Sequence, residues 1–210
     1  MDKARLTLQQ WLSPAFPISA FAYSHGLEWA ISEKYVTDAP TLQSWLETVL
    51  KTGTGRVDGA LVAAAARGED PFELSALAEA LAASAERWAE ARDQGAAFMA
   101  TTNALYNDDS PPMPYPVAFG MRAGQLGLPV SEIVALYLQG FASNLISAAV
   151  RFLPLGQTEG QRVSAALHPL LAKLGDALAD LPLDQIASGA VMSDFAAMAH
   201  EMMDVRIFKS

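Results

Sequence analysis

The sequence predicts an all-α fold, a single-domain bundle of about eight to ten helices joined by short loops marked by proline and glycine. Three observations point there. Sustained alternation of β-branched and polar residues, the mark of a half-buried strand, is absent, and alanine and leucine dominate. Apolar residues recur instead at helical spacing. Prolines stand at Pro40, Pro129, Pro154 and Pro182, where periodic stretches meet.

The elements follow from local chemistry. Asp70-Pro71-Phe72-Glu73 reads as an N-cap, a proline at the first helical position and a glutamate at the third. From about Ala82 to Asn107, Trp88, Ala91, Gly95, Phe98, Thr102 and Leu105 share one face. Glu86, Glu90, Asp93 and Gln94 fall mostly on the other, which reads as solvated. The stretch DDSPPMPYP, Asp108 to Pro116, is too rich in proline to be helical and joins two halves of one bundle. The helix from Ser131 to about Leu153 contains the most apolar segment, Val134 to Val150. Gln139, Ser143, Asn144 and Ser147 interrupt it, so it falls short of the ~20 apolar residues of a membrane span and reads as a buried helix. Gln139, Ser143, Ser147 and Arg151 recur at every fourth position, with Asn144 beside them, as a polar band. The band either lets helices approach closely or lines a polar passage or interface. The tail, Met202 to Ser210, is expected to be flexible. It either folds back on the bundle or orders against a partner.

Composition narrows the function. The chain has 210 residues and a formal charge of −9, which disfavours nucleic acid as a partner. The acids are unevenly placed: Glu69 to Asp109 carries a net −7 and Ile133 to Gly175 a net +2. Hydrophobic residues make up 51%, an excess that suits partner surface. Cysteine is absent, which removes disulfides and thiolate metal sites and suits a reducing cytosol. No apolar run of signal-peptide length opens the sequence.

Candidate chemistry is sparse. Ser24, His25 and Glu28 in AYSHGLE suggest a hydrolase. However, adjacent helical side chains diverge by about 100°, and no G-x-S-x-G elbow surrounds Ser24. The histidines are His25, His168 and His200, and HEMMD lacks the second histidine of a zincin. That leaves no stable metal site within one chain, while a shared or transient one stays open. No Gly-Lys pair exists, so there is no P-loop.

Three blocks together carry a resemblance: LSPAFPISAFAYSHGLEWAI (Leu12 to Ile31), AVRFLPLGQTEGQRV (Ala149 to Val163) and HEMMDVRIFKS (His200 to Ser210). Their order and spacing resemble the UreF family of urease accessory proteins over nearly the whole chain. The resemblance implies a cytoplasmic, all-helical, non-enzymatic chaperone with no tightly bound cofactor. It implies binding to UreD (UreH in some organisms), recruitment and regulation of the nickel-carrying GTPase UreG, action on urease apoprotein, and a homodimer within the complex. Nickel would pass through that complex, with His25 and His200 as transient contacts at most. Tyr23, Ser24, His25 and Glu28 match the first motif in a partner-facing or site-shaping role, with a purely structural role as the other reading. Gln157, Glu159, Gln161 and Arg162 match the second, as a polar loop reaching a partner, and Arg151 lies beside it. His200, Glu201, Arg206, Phe208, Lys209 and Ser210 match the third, expected to dock on UreD. Gln139, Ser143, Asn144 and Ser147 are the candidate passage lining. Met202 to Val205 depart from the more polar run expected there, and Lys209 stands where arginine is common, which weakens a bidentate contact. The competing reading is a metallochaperone that itself holds nickel through His25, His168 or His200.

Overall fold

A computed structural model describes residues 2–210. Ten α-helices make up the fold: α1 (Lys3–Trp11), α2 (Leu27–Ser32), α3 (Ala39–Thr52), α4 (Thr54–Ala66), α5 (Pro71–Ala80), α6 (Ala85–Tyr106), α7 (Tyr115–Gly124), α8 (Val130–Phe152), α9 (Gln157–Leu178) and α10 (Val191–His200). Two short 3-10 turns, Ala20–Ala22 and Leu183–Gln185, complete it, and no strand occurs among the described residues.

Side-chain caps set several helix starts. The Asp70 carboxylate accepts from the Phe72 N–H at 2.8 Å, as its position before Pro71 predicts. α6 starts at Ala85 rather than Ala82 because Ser84 caps it, accepting from the Arg87 N–H at 3.2 Å. Asn107 ends it in the left-handed conformation, at φ 52°. The breaker stretch is irregular only to Pro114. Tyr115 and Pro116 open α7, where a proline in the first turn forfeits no helical hydrogen bond. Likewise Gln157, Glu159, Gln161 and Arg162, expected in a loop, occupy the first turns of α9 on its exposed side.

α8 is the central helix. It packs along α9 and against α4, α3 and α2, burying Ile133, Val134, Leu138, Ala142, Leu145 and Ala149. It is long and apolar enough to cross a membrane, with a mean hydropathy of 1.6 over its most apolar 18 residues, yet most of its apolar side chains pack on neighbouring helices. A second cluster, Trp11, Phe98, Phe119 and Tyr137, joins α1, α6, α7 and α8 through edge-on and tilted ring contacts. Small residues let α7 lie on α4: a Cβ at Gly120 would stand 2.4 Å from the Val62 carbonyl oxygen, and one at Gly124 2.4 Å from that of Ala66. This packing fixes α2, α6 and α8 as the walls of the site.

Candidate partner-binding site around the C-terminal tail

The stretch AYSHGLE turns sharply before α2. His25 and Gly26 are both left-handed, at φ 57° and 75°. Glycine is required at the second position twice over. Its φ disfavours a side chain, and a Cβ there would meet the Ala197 nitrogen of α10 at 2.5 Å. The turn sends His25 inward. Its Nε2 meets Glu90 of α6 at 2.9 Å, and its ring stands edge-on to Phe141 at 4.8 Å. Burial and the nearby Arg87 hold His25 below the ordinary imidazole range, so it is neutral near pH 7 and Nε2 donates to the carboxylate. Ser24 and His25 form no nucleophile–base pair, because the Ser24 hydroxyl points to the tail.

The tail folds back on the bundle, one of the two placements expected of it. Residues 206–210 lie against α2, α6 and the end of α8, with Phe208 only 4% and Ser210 2% exposed. Glu28 is the anchor. Its two oxygens accept the main-chain N–H groups of Ile207 at 2.8 Å and Phe208 at 3.0 Å. The Lys209 N–H donates to the Ala22 carbonyl at 2.8 Å. The Ser210 carbonyl accepts from both the N–H and the hydroxyl of Ser24, at 2.7 and 2.5 Å. The Ser210 hydroxyl donates to Glu90 at 2.7 Å. Phe208 packs on Phe152 at 5.4 Å between ring centroids, with the Arg151 guanidinium 5.8 Å from its own centroid. Arg151 also donates to the Phe21 carbonyl at 3.3 Å. The three sequence blocks therefore meet at Phe208.

A second layer of charge supports the tail. His200 is fully buried and bridges two carboxylates, Glu28 at 3.1 Å and Glu86 at 2.8 Å. Glu86 pairs onward with Arg206, and its N–H donates to Glu201 at 2.9 Å. Deeper in, Arg87 lies between Glu90 and Asp58, the latter 3.8 Å away. Burial works against ionisation of Glu90, but Arg87 and the hydrogen bonds from His25 and Ser210 outweigh it and hold its carboxyl down at about 2. Asp58 lacks so close a partner, and burial pushes it up to about 6. A cavity of about 70 Å³ beside Glu90 is lined by His25, Asp58, Arg87, Glu90, Tyr137 and Asn144, among others.

The structure separates the remaining expected residues. Ser143, Ser147 and Arg151 are exposed along α8, and Gln139 is half-buried, its amide donating to Ser143 and Ser164 at 3.3 Å each. Of the four candidate lining residues, Asn144 borders that cavity and the others do not. Tyr23 is buried, with the Lys209 ammonium 5.9 Å from its ring centroid. Among the described residues, no group of three or more His, Asp or Glu side chains is arranged to hold a metal ion. Glu86, Arg87, Glu90, Gln94 and Asp58 were not anticipated. The face of α6 read as solvated is buried at Arg87, Glu90 and Gln94, while Ala96, Ala100 and Ala104 are exposed. That outward run of alanine is the signal that could have reversed the reading.

Outside the tail groove, α10 and the tail present an apolar face. Val191, Phe195, Met198 and Met202 follow one stripe, continued by Val205 at 82% exposed and Ile207 at 74%.

Residues 36–168 match the family model described as UreF. The chain belongs to the UreF family. It is similar to the urease accessory protein UreF of Dinoroseobacter shibae, 60% identical over the whole of both chains. It is 59% identical to that of Cereibacter sphaeroides strain KD131, again over all of both, and 48% identical to that of a Jannaschia species over 98% of this chain and 94% of the relative. The family model stops before the tail and starts after AYSHGLE, but the first two of these relatives align across both. UreF-family membership makes this a urease accessory protein with a part in urease maturation.

Proposed function

We propose that this chain is a non-catalytic, cytoplasmic chaperone of urease maturation. It binds UreD (UreH), recruits and regulates the GTPase UreG, and so directs nickel into urease apoprotein, acting as a homodimer within the complex. The observation that carries the reading is the convergence of the three motifs on one tail, whose outer side leaves Val205, Ile207 and the α10 stripe uncovered. Lys209 and Arg151 flank that side as exposed cations on an acidic chain. The partner-facing roles assigned to Gln157, Glu159, Gln161 and Arg162 are supported by their exposure on α9. For Ser24, Glu28, His200, Phe208 and Ser210 the role that fits is indirect: they hold the tail in the shape a partner meets.

A reading in which the chain itself stores nickel has less support. His25 and His200 are engaged with carboxylates, and His168 is exposed on α9. Co-purification tests the proposal. Co-expressed with the UreD and UreG of its own genome, the intact chain is expected to assemble with both. Changing Val205 and Ile207 to Asp is expected to abolish UreD capture while leaving the helical fold intact. If the intact chain captures neither protein, the reading fails, and one-to-one nickel binding lost with a single histidine change would replace it.

A further inference from the structure

The cavity beside Glu90 is lined by two kinds of side chain. Leu12, Pro14, Phe21 and Phe141 are apolar, and exposed Pro14 and Phe21 bring its rim to solvent. His25, Asp58, Arg87 and Glu90 are polar. A few convergent polar groups in an apolar recess are the usual build of a small-molecule site.

Among the described residues, five buried side-chain nitrogen or oxygen atoms have no hydrogen-bond partner. Three of them belong to side chains that line this one cavity: Trp11 Nε1, Arg87 Nε and His25 Nδ1. Trp11 is only 2% exposed and Arg87 6%, so these are buried side chains rather than solvated ones. A buried polar atom left unmet costs its full desolvation, and a polar cavity with room for a guest satisfies such atoms by holding one.

The chemistry of the set selects the guest. Trp11 Nε1 and Arg87 Nε each carry a hydrogen to donate. His25 donates through Nε2 to Glu90, which leaves Nδ1 with a lone pair that accepts. Asp58 is a second acceptor, with the Tyr137 hydroxyl 3.4 Å away and Arg87 3.8 Å away. An anion would meet the two N–H groups but face the carboxylates of Glu90 and Asp58. A cation would face Arg87 and leave both N–H groups unmet. A neutral molecule that accepts at one end and donates at the other answers the whole set. The volume of about 70 Å³ equals the share of roughly two waters, or of one planar molecule of about four non-hydrogen atoms.

We propose that this cavity is a binding site for a small primary amide of the size of acetamide or urea. The amide carbonyl accepts from Trp11 or Arg87, and its NH2 group donates to His25 or Asp58. Such a site belongs to this chain alone and does not rest on a role in urease maturation.

The test compares isosteres on the full-length chain, followed by NMR at the Trp11 indole N–H. Acetamide donates and accepts, acetone only accepts, and acetate only accepts and carries charge. Acetamide is expected to shift the Trp11 signal saturably and to show nuclear Overhauser contacts with the Phe141 and Tyr137 rings. Acetone and acetate are expected to bind at least tenfold more weakly, and urea to behave like acetamide. Gly140→Leu is expected to fill the cavity and abolish the shift with helical content unchanged. Gly140 lines the cavity, and a Cβ there meets the Leu12 side chain at an ordinary 3.4 Å. If that variant does not fold, the Overhauser contacts in the wild type decide the matter alone. Absence of a saturable acetamide shift would mean that the cavity holds water only, and overturns the proposal. Equal binding of all three isosteres overturns it too, as does a folded Gly140→Leu chain that keeps the shift.

Discussion

Two seams of this bundle are held by opposite chemistry. Where α7 crosses α4, the contact is small and apolar: Gly120 and Gly124 lie on the Val62 and Ala66 backbone, with Val117, Ala118 and Phe119 buried alongside. Where α10 and the tail meet α2 and α6, the contact is a chain of charges: Glu28, His200, Glu86 and Arg206, with His25, Glu90 and Arg87 beneath. The first seam is specified by volume and the second by charge and hydrogen-bond count. A buried ionic seam contributes less net stability than apolar packing but punishes the loss of a single partner. Such a seam suits a segment that must take one defined shape and still be releasable.

The sharpest way to break the comparison is a change of volume at the apolar seam. Gly120→Val sets a branched side chain against the Val62 carbonyl, which as backbone cannot turn aside. A loss of about 3 kcal/mol or more is expected, read by chemical denaturation. The same seam should ignore pH. Next in size is Glu28→Gln, which keeps volume and removes charge. It leaves His200 short of one carboxylate and supplies one acceptor oxygen where the tail uses two. The expected cost is about 2–4 kcal/mol, with the tail released, and ring contacts of Phe208 lost in NMR spectra.

A smaller effect sharpens the electrostatic side. Asp58 is held at about 6, above its ordinary 3.8, so the folded state binds the proton more tightly. Stability from this group is full below the unfolded value and falls as pH rises through 4 to 6. His25, held below its ordinary 6.5, acts oppositely and loses stability as pH falls past that value. Comparing wild type with Asp58→Asn isolates the first effect. The variant is expected to be the more stable at pH 7 by on the order of 2 kcal/mol, with the gap closing towards pH 4.5. A pH-independent gap would show that Asp58 is not the titrating group. Smallest are Ser143→Ala and Ser147→Ala on the outer side of α8, expected to change stability by less than about 0.5 kcal/mol. If urease activation and complex assembly also stay unchanged, the polar band on α8 is no partner face.

Legibility in the sequence followed locality. The all-α class, the Asp70 cap and the extents of α6 and α8 rest on contacts within a few residues, and periodicity reports those. The first turn of α9 was hidden because Pro154 and Gly156 read as a loop, whereas Gly156 precedes a helix whose Glu159 reaches back to its N–H at 3.4 Å. The tail site was hidden for a larger reason. Ser24 and Ser210 lie 186 residues apart, and Arg206 and Glu86 lie 120 apart. A row of Glu86, Arg87, Glu90 and Gln94 looks solvated until a distant segment returns to neutralise it. The sequence blocks did mark Ser24, Glu28, His200, Phe208 and Ser210 as important. They did not show that these residues face one another.

The most direct test of the account is hydrogen exchange at the Ile207 and Phe208 amides of the isolated, full-length chain. Both N–H groups donate to the Glu28 carboxylate, so both are expected to exchange far more slowly than a free chain, and to lose that protection in Glu28→Gln. If the wild-type amides exchange at free-chain rates, the tail is a flexible arm, and the convergence of the three motifs on it is contradicted.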